Sequence, residues 1–310
     1  MTAPEPTAPT VAKQGRAQLP DPPTPPLIPA DPVATWPRLQ PIGGRRPLAD
    51  YLRELWQRRE FAITVPLSEL RAQNQDTLLG QVWHLLNPLF LVLVYYLVFG
   101  VVLGIEERGG VDNYIAFLLV GVITFDYTRT SLTSGSRIIV KNRKLVQSIN
   151  FPRAILPVAS IIEETLSHGF AVIVMWLLLL LTGEYPHATW LLVIPIVAVH
   201  ATFNLGLSMI TARATFHFRD IQQALPYLLR IWFYTSGVLF PVSEDLIGNP
   251  QVRLLLKLNP MNAIIQLARD AYIDGTVDLA TWGLASAWAL LLFVVGFVYF
   301  RRGETEYSRV

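Results

Sequence analysis

The sequence predicts an all-α membrane protein with six transmembrane helices and an amphipathic helix ahead of them. Three observations carry this. Several windows of around 20 residues hold no Asp, Glu, Lys or Arg, and at about 1.5 Å per residue roughly 20 residues cross a hydrocarbon core of about 30 Å. Charged residues are 15% of the chain, against about 25% in a soluble domain, and they collect between those windows. The Arg and Lys residues favour alternate connections, as they do when one side of a bilayer retains them.

The elements follow in order. Residues 1–46 hold 12 of the 23 prolines and little to bury, so they predict a disordered, partly polyproline tail. From Pro47 the pattern changes. Leu48, Tyr51, Leu52, Leu55 and Trp56 share one helical face, with Asp50, Arg53, Glu54, Gln57 and Arg58 on the other. Such a helix, with Trp56 as anchor, is expected to lie in the membrane interface. Span 1 is Leu85–Gly104, with Asn87-Pro88 near its start and a Gly100/Gly104 pair. Span 2 starts near Tyr114 and is strongly apolar only to Phe125. Asp126 and Arg129 follow at i, i+3, and are expected to pair or to face a polar interior.

The stretch from Ser136 to Pro157 carries Arg137, Lys141, Arg143, Lys144 and Arg153 and no acid. Span 3 covers about Ile155–Leu181, span 4 about Thr189–Ala212, and span 5 about Ile221–Pro241 with Arg230 inside it. A polar connection, Val242–Asp278, has a middle (Val252–Tyr272) that reads as helix but is too charged to span. Span 6 is Leu279–Phe300, closed by Arg301 and Arg302. The basic connections and both termini fall on one side, expected to be cytoplasmic. The domain reading is a tail at 1–46, an interfacial helix and linker at 47–83, a six-span unit at 84–302 and a cytoplasmic tail at 303–310.

Chemistry leaves few marks. There is no P-loop signature, no H-E-x-x-H, no G-x-S-x-G and no cysteine, so no catalytic or metal residue is assigned. A net charge of +2 gives no reason to expect nucleic acid. Aromatics concentrate in spans 1, 2 and 5: Tyr95, Tyr96, Phe99, Phe125, Tyr127, Trp232, Phe233 and Tyr234. Flat apolar rings with hydrogen-bonding edges suit the C–H faces and hydroxyls of a sugar, so a glycan path is expected there. For each ring alone, ordinary packing is the competing reading. Arg58, Arg59 and Arg71, near the predicted inner interface, carry guanidinium forks that fit phosphate groups. Attraction to anionic lipid explains them equally well.

Five segments resemble one family. Leu78-Leu-Gly-Gln-Val-Trp-His-Leu-Leu-Asn-Pro-Leu, Asn113-Tyr-Ile-Ala-Phe-Leu-Leu-Val-Gly, Asn142-Arg-Lys-Leu-Val-Gln-Ser-Ile-Asn-Phe-Pro-Arg-Ala-Ile-Leu-Pro, Phe218-Arg-Asp-Ile and Leu258-Asn-Pro-Met stand in the order found in permease subunits of ABC polysaccharide exporters. O-antigen, teichoic-acid and actinobacterial galactan exporters share the pattern. The resemblance implies a cytoplasmic coupling helix, with Asn142, Arg143, Lys144, Leu145 and Phe151 against an ATPase subunit. It also implies short external gate helices before the last span. Two permeases and two ATP-binding subunits would form the exporter, ATP and Mg would sit on the partner with no cofactor on this chain, and a lipid-linked polysaccharide would pass between two copies in the inner membrane. Export of a lipid or drug, or secondary transport, stands as the alternative.

Overall fold

The computed structural model describes residues 47–58, 60, 82–105, 110–148, 151–244, 246–304 and 306–307. The predicted tail at 1–46, Arg59 and Arg71 lie outside them. The described elements are helical: α1 (Leu48–Gln57), α2 (Val82–Tyr95) continuing as a π-helical stretch (Tyr96–Val102), α3 (Tyr114–Lys141), α4 (Arg143–Ser148), α5 (Ile155–Leu181), a 3₁₀ turn (Ala188–Leu192), α6 (Val193–His217), α7 (Ile221–Thr235), α8 (Pro250–Leu258), α9 (Pro260–Tyr272) and α10 (Leu279–Arg302).

Four of these are long and apolar enough to cross a membrane: α3, α5, the run Ala188–His217 and α10. The predicted spans 3, 4 and 6 match three of them closely. Span 2 extends without a break to Lys141 because Arg129 donates its Nε to Asp126 Oδ1 at 2.8 Å, so the two charges pair within one helix. In the place of span 1 stands the run Val82–Val102, with Pro88 inside the helix and its last seven residues in π geometry. Span 5 was expected to reach Pro241, but α7 stops at Thr235 after 15 residues. The chain turns there through Gly237, whose φ of +65° suits a residue without Cβ.

Four starts are capped by side chains. Asn113 accepts the Ala116 N–H for α3, Asn249 the Gln251 and Val252 N–H groups for α8, Asn259 the Met261 N–H for α9, and Asp278 the Ala280 and Thr281 N–H groups for α10. Such caps satisfy orphan donors at the helix ends. Pro250 and Pro260 take the first helical positions, where a missing N–H costs nothing. The stretch Val252–Tyr272, which reads as helix, is covered by two helices, broken at Asn259-Pro260.

α3 is the axis, buried along most of its length between α5, α6, α9 and α2. α5 and α10 bury one edge each and turn Phe170, Ile173, Leu177, Leu291 and Val294 outward. Close approaches depend on glycine. A Cβ at Gly206 or Gly296 would run into the facing backbone where α6 crosses α10, and one at Gly135 would strike Ser208. Neither member of the predicted Gly100/Gly104 pair does this. A Cβ on Gly100 would meet Tyr96 and Tyr114, and one on Gly104 would meet nothing within 4 Å.

Candidate functional site

At one end of the bundle the basic residues gather. Lys141, Arg143 and Lys144 are exposed at the turn from α3 into α4. α4 itself covers six residues, Arg143–Ser148, so of the coupling residues that the resemblance implies Phe151 lies beyond the helix. Asn142 caps α3, its amide donating to the Ile138 carbonyl at 2.9 Å. Leu145 is half-buried. Phe151 is 5% exposed and packs in an apolar cluster with Ile138, Ile139, Val146, Ala154, Ile155 and Phe300. Among the expected coupling residues, then, Arg143 and Lys144 offer surface and Phe151 offers an anchor.

The same cluster draws in both ends of the described chain. Tyr51 of α1 is buried, donates its hydroxyl to Glu304 Oε1 (3.1 Å) and accepts the Ala154 N–H (3.2 Å). Glu304 Oε1 also accepts the Arg153 N–H at 2.6 Å. Arg301 lies over the Tyr51 ring at 5.4 Å. Burial holds the Glu304 carboxyl above its usual range, partly offset by the Arg153 N–H, the Tyr51 hydroxyl and the charges of Arg153 and Arg301. Burial likewise raises the Tyr51 phenol. α1, the end of the basic loop and the segment after α10 are thus joined at one carboxylate. Leu48, Leu52 and Trp56 remain exposed on α1, so packing does not consume its apolar face. Arg58 is exposed and pairs with Glu54 at 3.3 Å.

Six of the eight predicted aromatic residues pack together, and two stand apart. Tyr95, Phe99, Phe125, Trp232, Phe233 and Tyr234 form one ladder between α2, α3 and α7. The ring centroids of Tyr95 and Phe233 are 5.4 Å apart, and those of Phe125 and Phe233 5.1 Å. Within it Phe125 and Phe233 are buried; Tyr95, Phe99 and Trp232 are half-buried, and Tyr234 is exposed. Tyr96 stands half-buried beside Gly100. Tyr127 departs from the group. It stacks on His168 at 4.4 Å between α3 and α5, and its hydroxyl meets Thr165 Oγ1 at 2.5 Å.

Tyr127 opens onto a polar knot that the sequence did not announce. Thr128 Oγ1 lies 2.7 Å from His200 Nε2, 2.9 Å from Asn204 Oδ1 and 3.3 Å from Met261 Sδ. Thr128 is the fifteenth residue of the 28-residue α3, so the knot sits near mid-depth. Met261 is the second residue of α9, so α9 starts at mid-depth too. α7 ends beside it: Asn259 donates to the Thr235 carbonyl (2.9 Å) and accepts from Trp232 Nε1 (2.9 Å). Two short helices therefore meet inside the bundle, and α9 runs from that joint to the end away from the basic residues. There Thr189 Oγ1 and Trp190 Nε1 donate to the Ala271 and Tyr272 carbonyls.

From the joint the chain turns through Gly237 and Val238 beside Phe117 and Gly121, near the start of α3, and irregular backbone inside the bundle needs partners. Arg269, 3% exposed, supplies them. It donates to the Gly237 carbonyl (2.8 Å), the Val238 carbonyl (3.0 Å) and the Phe117 carbonyl (3.1 Å), with its guanidinium 3.3 Å over the Phe117 ring. The charges that keep Val252–Tyr272 from spanning thus include one, Arg269, that is itself buried and satisfies the carbonyls of the turn. Asn-Pro before a helical pattern was the signal for the break, and it was available at 259–260. His200 stands in the sequence as a lone histidine of an apolar helix, expected to be a satisfied packing residue, whereas nothing local marks Asn204 or Glu304, whose partners are distant in the chain. A cavity of about 580 Å³ lies beyond α9, lined by Lys257, Gln266, Asp270, Thr276, Asp278 and Thr281 among others.

Comparison with known proteins adds a second kind of observation. Residues 67–273 match the family model described as ABC-2 type transporter. The O-antigen export system permease protein RfbA of Myxococcus xanthus is 30% identical over 258 residues, covering 82% of this chain and 96% of that protein. RfbA of Klebsiella pneumoniae is 23% identical, covering 81% and 95% respectively. The polysialic acid transport protein KpsM of Escherichia coli is 24% identical, covering 77% and 91%.

Proposed function

The chain belongs to the ABC-2 type transporter family, and from that premise we propose that it is the membrane-spanning permease subunit of an ATP-driven polysaccharide exporter. The observation that carries this reading is 30% identity across almost the whole of an O-antigen export permease. The substrate proposed is a polysaccharide on a polyprenyl diphosphate carrier, with a cell-wall galactan or an O-antigen-like glycan as the nearest candidates. ATP and Mg belong to a separate nucleotide-binding subunit, two copies of which serve a homodimer of this chain. The chain is multi-pass in the inner membrane with both termini cytoplasmic.

Each feature then has a role. The exposed Arg143 and Lys144, with Asn142 and Leu145 behind them, meet the ATP-binding subunit. Phe151 passes the movement into α3 and α5 through the apolar cluster. α1 lies in the inner interface with Leu48, Leu52 and Trp56 in the headgroup region, and Arg58, with Arg59 and Arg71, attracts the lipid diphosphate. Tyr95, Tyr96, Phe99, Trp232 and Tyr234 offer rings to the glycan, while Phe125, Tyr127 and Phe233 support them from the core. α8 and α9 close the outer exit.

The test is co-purification with a co-expressed ATP-binding subunit, followed by glycan export in cells. Retention of the subunit, and loss of external glycan on depletion of this chain, are expected. Lys144→Ala with Arg143→Ala is expected to keep the chain folded in the membrane and to reduce export several-fold. Normal export from that double variant would remove the basic loop from the mechanism, and failure to retain any ATP-binding subunit would overturn the reading.

A further inference from the structure

Among the described residues no hydrogen bond or ion pair holds the Arg230 side chain, which is exposed. It lies nine residues along α7 from Ile221, and only five residues before Thr235, which touches the mid-depth joint. At about 1.5 Å per residue it stands within roughly 8 Å of that joint. Leu225, Leu229 and Phe233 face the core from α7. Arg230 is exposed on the other side with Tyr227, Ile231 and Tyr234. Bare hydrocarbon is a poor place for a guanidinium, and charges at such depth characteristically face a polar interior or a water-filled path. The neighbours add donors. Tyr95 and Tyr234 both pack against Phe233, with ring centroids 5.4 and 5.5 Å from it. One helical turn separates Arg230 from Tyr234. A cation and two phenol hydroxyls therefore stand together beside half-buried aromatic rings.

We propose that Arg230, with Tyr95 and Tyr234, forms a relay site at mid-depth for an oxyanion carried by the substrate, a phosphate or a carboxylate, as it crosses between two copies. This rests on the exporter reading above and goes beyond it by assigning charge recognition to the interior of the path. The planar guanidinium can hold an oxyanion through two parallel hydrogen bonds, and the phenols supply a further donor. Neighbouring rings can hold uncharged sugar units between anionic ones.

The chain contains no cysteine, so single-cysteine reactivity on it can be read without background. The complex with its ATP-binding subunit is placed in nanodiscs of phosphatidylcholine. R230C is treated with a charged, membrane-impermeant methanethiosulfonate, and modification is expected if the position faces a watery path. Binding of three probes is then compared for the unaltered chain, R230Q and R230K: oligosialic acid, undecaprenyl diphosphate and dextran of matched length. R230Q is expected to weaken at least one anionic probe tenfold or more, R230K to recover most of that loss, and dextran to be unaffected. Loss confined to oligosialic acid assigns the site to carboxylates on the glycan, and loss confined to undecaprenyl diphosphate assigns it to the carrier headgroup. An unmodified R230C, or R230Q binding all three probes as the unaltered chain does, overturns the proposal while the exporter reading stands. Absence of the ATP-binding subunit from the purified complex would instead count against that reading.

Discussion

At Glu304 a carboxyl group sits among donors that favour its charge and in surroundings that oppose it. Burial is the larger effect, so its pKa in the folded chain is raised. For an acid this means that the fold is favoured at low pH. The advantage is full below the unfolded value, about 4.3, and is lost as pH rises through the raised folded value. Glu304→Gln keeps an oxygen to accept the Arg153 N–H and the Tyr51 hydroxyl and removes the cost of ionisation. The melting temperature of Glu304→Gln relative to the unaltered chain should therefore climb by a few degrees between pH 4 and pH 8. A difference that shrinks over that range would mean that the carboxylate charge stabilises the junction. Phe151 calls for a different expectation from Lys144. Truncating a buried Phe to Ala costs about 3–5 kcal/mol, so Phe151→Ala should lower thermal stability, and Lys144→Ala should not.

Helix pairs are held at distances that glycine permits. Gly206→Ala or Gly296→Ala should force α6 and α10 apart and cost about 1–3 kcal/mol, read as a lower unfolding midpoint in nanodiscs. Gly169→Ala and Gly283→Ala, where a new Cβ would touch nothing within 4 Å, should be neutral or slightly stabilising. These contacts also mark the limit of sequence reading. Long uncharged windows announced α5, α6 and α10, because hydrophobic length is written along the chain itself. Of the Gly100/Gly104 pair only Gly100 lies close to another helix, against the Tyr114 ring and not its backbone, while Gly206 and Gly296 match no local rule and meet backbone to backbone across 90 residues. α7 was read six residues too long because Ser236–Pro241 is apolar enough to continue a span. Its carbonyls are satisfied by Arg269, a residue more than 30 positions away. The aromatic ladder was legible as a cluster, and its division into core and surface rings was not. Arg230 was visible as a charge at helix depth, but only the geometry of α7 shows which way it faces.

Across the whole molecule the two ends differ in charge. Lys141, Arg143, Lys144, Arg219 and Arg302 are exposed at one end, and Asp274 and Asp278 at the other, beside the half-buried Glu184. If the basic end is cytoplasmic, a cysteine at Gly248, where a side chain meets nothing within 4 Å, should react with an impermeant thiol reagent added outside intact cells. Reaction only after the cells are opened would invert the topology. The joint between α7 and α9 has a consequence for how such a chain is made. α7 is too short to cross a bilayer of about 30 Å alone and carries Arg230. Its C-terminal carbonyl is met by Asn259, and the carbonyls of the turn beyond it by Arg269, neither yet synthesised when α7 leaves the ribosome. The end of α7 and the turn beyond it therefore have their partners only once Arg269 has been made, so α7, α8 and α9 are expected to settle into the bilayer as one unit rather than helix by helix.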